Sequence, residues 1–572
     1  MKQTVSEVAQ REWKSYEESQ VEITEGYHFN QYQTIRRITH YLNDRFFEAP
    51  NDMIFWNLST PRIPHFAKHL DLDTKDLMPI GKGDTNFYQT WILKVKFRKW
   101  LRETNFALTL NDLAEGLAQF GSVVFKKVET DNNNDNKYEL QEVKLDNLAF
   151  DAKAKDIRQS DYIIERHYLT EFDIRAKEGA WDNIAEAIEK GEIVETDDEN
   201  DSTIPTYVFY ERFGQVEDEN EEYIYTHSIF TGTGDKEVVV FEDRDLEPED
   251  NPYYDFHIGK YNGRWMRQGV VERLFKLQER VNALVNQNAM TTEISSLLLL
   301  RTADPETRGN VLQSLESGEI INSADLQQVP IDNRALNGFL AELQTIETQA
   351  DRLALTPDII RGDTPPSSTP FRSLAVINNA AKNVFNFYKQ SVGEKLGEIL
   401  RTEIMPEVIR KWNHGDLLEI ADSKEDIILY DNLLLNKKLW TSATEYARKS
   451  GRLPSATQLQ QLASRLLEEF GKDKRKMEIP KGFFNFKYGI EMNVTDENQD
   501  KAAMNETIVN ALNMYLANPT ILQNPLFRQM LENNGITPPK FENKMQEPQQ
   551  QQGGQQIQPK QQDKLLTQAN IN

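Results

Sequence analysis

His65 and His69 stand four residues apart, the spacing at which two histidines share one helix face and bind zinc in a metalloprotease. Phe66 occupies the position where that chemistry needs a glutamate base, so no metal is assigned to the pair. Phosphate-cradling loops are equally incomplete. Gly81-Lys82, Gly259-Lys260 and Gly471-Lys472 are not followed by Ser or Thr, and the upstream glycine is missing. The run "GKGDTN" has Asn86 where a dinucleotide fingerprint needs its third glycine. The acidic run Glu195-Thr196-Asp197-Asp198-Glu199 could attract Mg²⁺, but its Gly and Asn flanks mark it as a solvated loop. Arg361-Gly362-Asp363 matches an adhesion tripeptide, and three residues carry almost no specificity. None of the eight histidines clusters convincingly in the sequence with Asp or Ser. Catalysis needs a placed acid, base or nucleophile, and none is nominated. The chain is therefore expected to have no catalytic residues, no metal and no cofactor.

The elements around these residues are long. Ile35, Ile38, Tyr41, Leu42 and Phe46 recur at helical spacing, so residues 1–50 are expected to be amphipathic helix. A second helical block is expected over Thr90 to Phe120, closed by Gly121. Leu93, Phe97 and Trp100 form its apolar face, and Lys94, Lys96, Arg98, Lys99 and Arg102 its basic one. That basic face reads first as solvated and second as a phosphate contact, with the aromatic residues as core. The period then changes to two. "SVVFKKV", "YELQEVKLDNLAFD", "DYIIERHYL", "TYVFYERFG", "EEYIYTHSIF" and "KEVVVFED" read as antiparallel strands.

Helical period returns at Gln268. Val270, Leu274, Leu277, Val281 and Leu284 follow a heptad-like spacing, which weakens at Asn286, Gln287, Asn288 and Thr291. A segment with turn chemistry at Asp304-Pro305 and Ser317-Gly318 precedes a second helix over Arg334–Leu355, with Leu336, Leu343 and Ile346 on its stripe. Pro357 ends that helix. The loop "RGDTPPSSTPFRS" follows, with Thr369 as N-cap and Pro370 in the first turn of a third helix running to about Trp412. Pro406 should kink this last helix. Beyond it, "DIILYDNLLL" and "FFNFKYGIEMNV" read as strands. "ATQLQQLASRLLEEFG" and "DKAAMNETIVNALNMYLAN" read as helices. Residues 538–572 are a Gln-rich tail with too few apolar residues to order.

The 572 residues are too many for one ordinary core. There are no cysteines, which removes disulfides and thiolate sites and suits a reducing compartment. No apolar leader or membrane-length run is evident, so a soluble chain made in a cytoplasm is expected. The formal net charge is −25, of which −17 falls between Gly191 and Asp250 (20 acidic, three basic). A protein gripping duplex DNA would instead concentrate Lys and Arg.

The order helix–insertion–helix–polar loop–long helix resembles the portal protein, or head-to-tail connector, of tailed bacteriophages over about residues 30–520. The segments that carry it are "NFALTLNDLAEGLAQFGSVVFKKV", "GVVERLFKLQERVNALVNQN", "TPDIIRGDTPPSSTPFRSLAVINNAAKNVF" and "FNFKYGIEMNVTDENQDKAA". The resemblance implies a mainly helical α+β, portal-type subunit with long stem and wing helices, a small α/β clip and antiparallel β in the wing. In that reading residues 1–267 are an N-terminal wing, with the acidic module at about 191–250. Residues 268–296 and 334–356 are stem helices packed through Val270, Leu274, Leu277, Val281, Leu284, Leu336, Leu343 and Ile346. Residues 297–333 are a clip facing terminase or adaptors through Arg301, Asp304, Glu306, Arg308, Glu316 and Glu319. Residues 357–369 are a tunnel loop, lining a DNA channel with Arg361, Asp363, Thr364, Pro365, Pro366, Ser367, Ser368 and Thr369. Residues 370–415 are a long wing helix, and 416–537 a C-terminal wing and crown.

The resemblance further implies a ring, usually of twelve subunits, at the portal vertex of a virion, assembled in the host cytoplasm. Its partners would be the major capsid protein, the terminase large subunit, head–tail adaptor or neck proteins, and double-stranded DNA in passage, with no membrane. The alternative is another virion structural, scaffold or adaptor protein built on long helices.

Overall fold

The computed structural model describes residues 4–48, 53–82, 87–132, 135–194, 204–217, 223–244, 246–296, 300–301, 327–328, 334–356, 371–412, 417–419, 439–450, 455–469, 476–478 and 487–492. Two compact units divide the chain: Met1–Ile409 with Lys487–Val494, and the remainder.

The first unit begins with helix α1 (Val5–Glu18), closed by a capping box between Thr4 and Glu7. It does not run on as the 1–50 pattern predicted. A hairpin of β1 (Val21–Thr24) and β2 (Tyr27–Phe29) intervenes before α2 (Gln31–Leu42), with Gly26 taking the left-handed turn conformation at φ +79°. The second helical block is likewise two helices, α4 (Phe87–Glu103) and α5 (Phe106–Phe120), after α3 (Ile63–Leu70). They part at Asn105, whose φ of 50° no continuous helix accommodates. Phe97 and Trp100 stack in the core, 5.8 Å apart.

Six antiparallel sheets are present among the described residues. The largest has six strands: β6 (Leu148–Phe150), β7 (Tyr162–Thr170), β8 (Glu192–Ile193), β9 (Thr206–Glu217), β10 (Tyr223–Thr231) and β11 (Val238–Asp243). A three-stranded sheet has the order β12 (Tyr253–His257), β4 (Ser122–Asn132), β5 (Asp135–Val143). In addition β3 (Leu77–Gly81) pairs with a strand over Tyr488–Met492, more than 400 positions away. These sheets overturn the expectation of a mainly helical, portal-type subunit with β structure in a subordinate role. The reason is physical: strands bury their faces by pairing with partners far off in the chain, and local periodicity cannot count such pairings.

Alternation along β9 gives the large sheet two different faces. Tyr210 and Arg212 point toward α1, where Trp13 and Tyr16 pack with Ala149, Ile164 and Phe230. Arg212, fully buried, holds Glu12 of α1 through two 2.7 Å hydrogen bonds. Tyr207 and Phe209 point the other way, under α6 (Glu171–Arg175) and α7 (Ile184–Lys190), with Ile174 and Ala187. Further along this second face, Glu211 and Phe213 meet the three-stranded sheet, where Phe213 touches Tyr253 edge-on at 5.7 Å.

Helix α8 (Val270–Ser296) leaves this layer at a fixed point. Gly121, at φ +78°, caps α5 and lies back-to-back with Gly269. A Cβ on Gly269 would stand 2.3 Å from the Gln119 carbonyl oxygen, so backbone meets backbone with no room for a side chain. Helix α9 (Arg334–Leu353) returns beside α8. After it, α10 (Phe371–Ile399) passes through a π-helical turn at Leu400–Ile404 into α11 (Met405–Trp412). The irregular turn falls just before Pro406, the position of the predicted kink, where the proline has no N–H to donate to the residue four back.

The second unit contributes a two-stranded sheet (Leu417–Glu419 with Lys476–Glu478) and a helix over Ala456–Glu469. The predicted strand at 426–435, the helix at 500–518 and the 538–572 tail lie outside the described residues.

Candidate functional site

Two arrangements concentrate the polar chemistry: the α8–α9 pair, and a polar layer between the two larger sheets.

Val270, Leu274, Val281 and Leu284 are buried along α8, as the heptad-like spacing predicted, while Leu277 is half-buried. Ile346 of α9 is buried, Leu343 is half-buried, and Leu336 lies in the first turn of α9. The apolar seam is interrupted by amides, and the amides have a use. Gln278, Asn282 and Asn286, spaced by four, line one ridge of α8 and read the backbone of the extended segment 54–58. The Leu58 amide donates to Gln278 Oε1 at 2.8 Å, the Trp56 amide to Asn282 Oδ1 at 2.9 Å and the Ile54 amide to Asn286 Oδ1 at 2.9 Å. Asn286 Nδ2 returns a 2.8 Å bond to the Ile54 carbonyl. The chain is thus stitched to α8 by side chains doing what a neighbouring strand would do. Sequence reading took Asn286 for part of a weakening of the stripe and did not single out Gln278 or Asn282; their i, i+4, i+8 spacing was the available signal.

Two ion pairs place α9. Arg280 Nε reaches Glu342 Oε1 at 2.8 Å across the two helices. Arg62, nearly buried, donates through Nε to Asp351 Oδ1 at 2.8 Å and through Nη1 to the Leu58 carbonyl at 2.6 Å. Removing one partner of a buried pair leaves an uncompensated charge, so Arg62→Ala is expected to cost about 3–5 kcal/mol. Arg280→Ala, at an exposed pair, is expected to cost under about 1 kcal/mol. Urea denaturation of both variants checks the ranking, and equal losses would contradict it.

Of the predicted clip residues, Arg301 pairs through its backbone with Gln327 in the short ladder β13 (Leu300–Arg301) and β14 (Gln327–Gln328). Asp304, Glu306, Arg308, Glu316 and Glu319 lie outside the described residues. So do all the tunnel-loop residues, Arg361, Asp363, Thr364, Pro365, Pro366, Ser367, Ser368 and Thr369.

The polar layer was not foreseen. In the β4–β12 ladder Ser122 opposes His257 and Lys126 opposes Tyr253. Alternation puts Ser122, Lys126, Tyr253, Asp255 and His257 on one face. His257 Nδ1 lies 2.8 Å from Ser122 Oγ, and Nε2 lies 3.0 Å from Asp255 Oδ2. Ser122 Oγ also accepts the Arg267 amide at 2.8 Å, so the hydroxyl is held between the imidazole and that backbone N–H. Residue types and contacts are those of a nucleophilic relay. Ser122 is fully buried, however, and no carbonyl substrate can reach Oγ.

Asp255, also fully buried, is the hub. Its Oδ2 accepts the Ile157 amide at 2.8 Å and the Trp265 indole at 2.7 Å, and its Oδ1 accepts the Lys395 ammonium of α10. Burial alone would raise this carboxyl; the charges of His257 and Lys395 outweigh it and hold it well below the usual carboxylate range.

A second hub lies in the same layer, between that face and the six-stranded sheet. The β7–β9 register puts Glu165 directly opposite Glu211, a like-charge pair that would repel. Lys126 bonds both carboxylates, at 3.0 Å to Glu165 Oε2 and at short range to Glu211 Oε2. His167 Nε2 and His227 Nε2 reach Glu211 at 2.8 and 2.9 Å, and the Tyr253 hydroxyl donates to Glu165 at 2.6 Å. Burial opposes ionisation of Glu211, but Lys126 and the two imidazoles draw its pKa far below normal. Glu165, His167 and Glu211 bring ligand atoms within 4.8 Å of one another, a donor set that a divalent ion accepts. Lys126 already supplies the positive charge there, and an ion would have to displace it. The Glu165–His167 and Asp255–His257 pairs are each two apart on a strand; that i, i+2 spacing was the sequence signal.

No family model and no curated protein matches this chain.

Proposed function

We propose that this chain is a subunit of a ring at a capsid vertex through which double-stranded DNA is packaged and ejected. The ring would serve terminase first and head–tail adaptor proteins afterwards, as in phage portal proteins. The reading rests on the order of the resembling segments and on a local arrangement, not on the overall architecture. The observation that carries it is the paired rods α8 and α9, bridged by Arg280–Glu342, with β13 and β14 joined between them.

The long helices also carry uncovered apolar side chains. Met290 on α8, Leu340 on α9 and Phe387 on α10 are 65%, 53% and 66% exposed. Single exposed residues are ordinary. In a ring, these three would be covered against copies of the same chain.

Negative-stain imaging of the purified protein tests the proposal, with rings enclosing a central hole as the expected result. Leu340→Asp with Phe387→Asp should yield folded single subunits, because both side chains are exposed and neither supports the core. Particles without a pore at every concentration would overturn the reading.

A further inference from the structure

The segment between β12 and α8 is unusually cationic for an acidic protein. Lys260, Arg264, Arg267 and Arg273 all line one cavity of about 130 Å³ at the N-terminal end of α8, together with Asn262 and Gln268. At roughly 30 Å³ per water molecule, that volume takes a tetrahedral oxyanion with a water or two, and no folded peptide. The guanidinium groups are held in place before any ligand arrives. Arg264 lies over the Phe29 ring at 4.0 Å, Arg267 over Tyr261 at 4.9 Å and Arg273 over Phe66 at 5.9 Å. Arg264 and Arg267 are more than nine-tenths buried.

The negative charge that pairs directly with these cations is Glu272, which takes Arg264 in a fork at 2.8 and 3.0 Å. Arg267 spends Nη1 on the Arg264 and Trp265 carbonyls. Arg264 Nη1 and Arg267 Nε are buried with no acceptor. Burial and the neighbouring Arg264 charge both lower the Arg267 pKa, against the pull of Asp255 and Tyr261. Buried donors left without acceptors are costly, and an accumulation of like charge around a recess is costly again. Gln268 and Arg273, which flank the start of the 27-residue α8, bring the positive end of its dipole near this cavity.

We infer that the cavity bounded by Lys260, Arg264, Arg267 and Arg273 at the start of α8 is a binding site for a phosphate-class oxyanion, taken as inorganic phosphate or as a phosphomonoester. A duplex phosphodiester is flanked by sugar on both sides, so the assignment is to a terminal phosphate and not to a duplex backbone. This assignment is independent of the ring proposal, since it needs only the single chain.

Calorimetric titration of the full chain with inorganic phosphate tests it, at fixed ionic strength set with chloride. Saturable one-site binding is expected, with a rise in melting temperature that chloride does not reproduce. Lys260→Gln with Arg273→Gln removes two rim cations without touching the buried pair. It should weaken phosphate binding by about tenfold or more, from the loss of charge-assisted bonds, and leave circular dichroism unchanged. Arg267→Gln should abolish binding; should that variant fail to fold, the rim variant still decides. A glycerol phosphate titration separates the two sources: equal or tighter binding assigns a monoester, and loss of binding assigns free phosphate. No saturable binding, or binding undiminished in the rim variant, would overturn the inference, as would an equal response to a short DNA duplex.

Discussion

Asp255→Ala is expected to lower the free energy of unfolding by about 3–5 kcal/mol, because it strips a fully buried hub of its only charge. Four donors lose their acceptor together: the Ile157 amide, the Trp265 indole, His257 and the Lys395 ammonium. Lys395 keeps Asp156 at 3.0 Å, so it is not wholly stranded. The reverse change is milder. Lys395→Met leaves Asp255 with three donors and should cost less than Asp255→Ala. Urea denaturation of both proteins gives the order, and a larger loss from Lys395→Met would show that the ammonium, not the carboxylate, organises the cluster. The depressed pKa of Asp255 fixes the direction with pH. Its stabilisation is fully present above the unfolded carboxyl pKa of about 4 and is lost as pH falls toward the folded value. The alanine variant should therefore lose less stability than the parent on acidification below about pH 4.

Glu211→Gln should also be severe, about 3–5 kcal/mol, for a related reason. Lys126 would face Glu165 alone, and His167 and His227 would lose the carboxylate that both address. Lys126→Met should cost as much by a different route, because it leaves Glu165 and Glu211 opposed across the ladder with no cation between them. The double variant discriminates. If the three groups act as one unit, Lys126→Met with Glu211→Gln costs clearly less than the sum of the singles. Strict additivity would mean that Lys126 and Glu211 are independent, contrary to the geometry. Glu211 also ionises more readily than a free glutamate, so its contribution has the same sign with pH: present at neutrality, lost in acid.

Both hubs were partly visible in the chain. Asp255 and His257, like Glu165 and His167, stand two apart in segments with strand alternation, which puts each pair on one face. What was not visible was the third party. Ser122 meets His257 only because β4 pairs with a strand more than 130 positions later, and Lys126 meets Glu211 only because two sheets face each other. The mainly helical expectation failed for the same reason. Segments 21–29 and 77–81 are short strands whose identity depends on partners, Phe29 opposite Val21 and Leu77 opposite Met492.

The amino-acid order by itself determined what local rules decide. It marked the buried stripe of Val270, Leu274, Val281 and Leu284, the cap at Gly121, the break at Pro406 and the alternation of β4, β5, β7, β9, β10 and β11. Each of these follows from side-chain spacing or backbone restriction within a few residues. Tertiary structure alone decided which charges became neighbours. Charges meet by register and by layer, and the energy of burying Lys126, Glu211, Asp255 and Lys395 depends wholly on the partner that arrives with them.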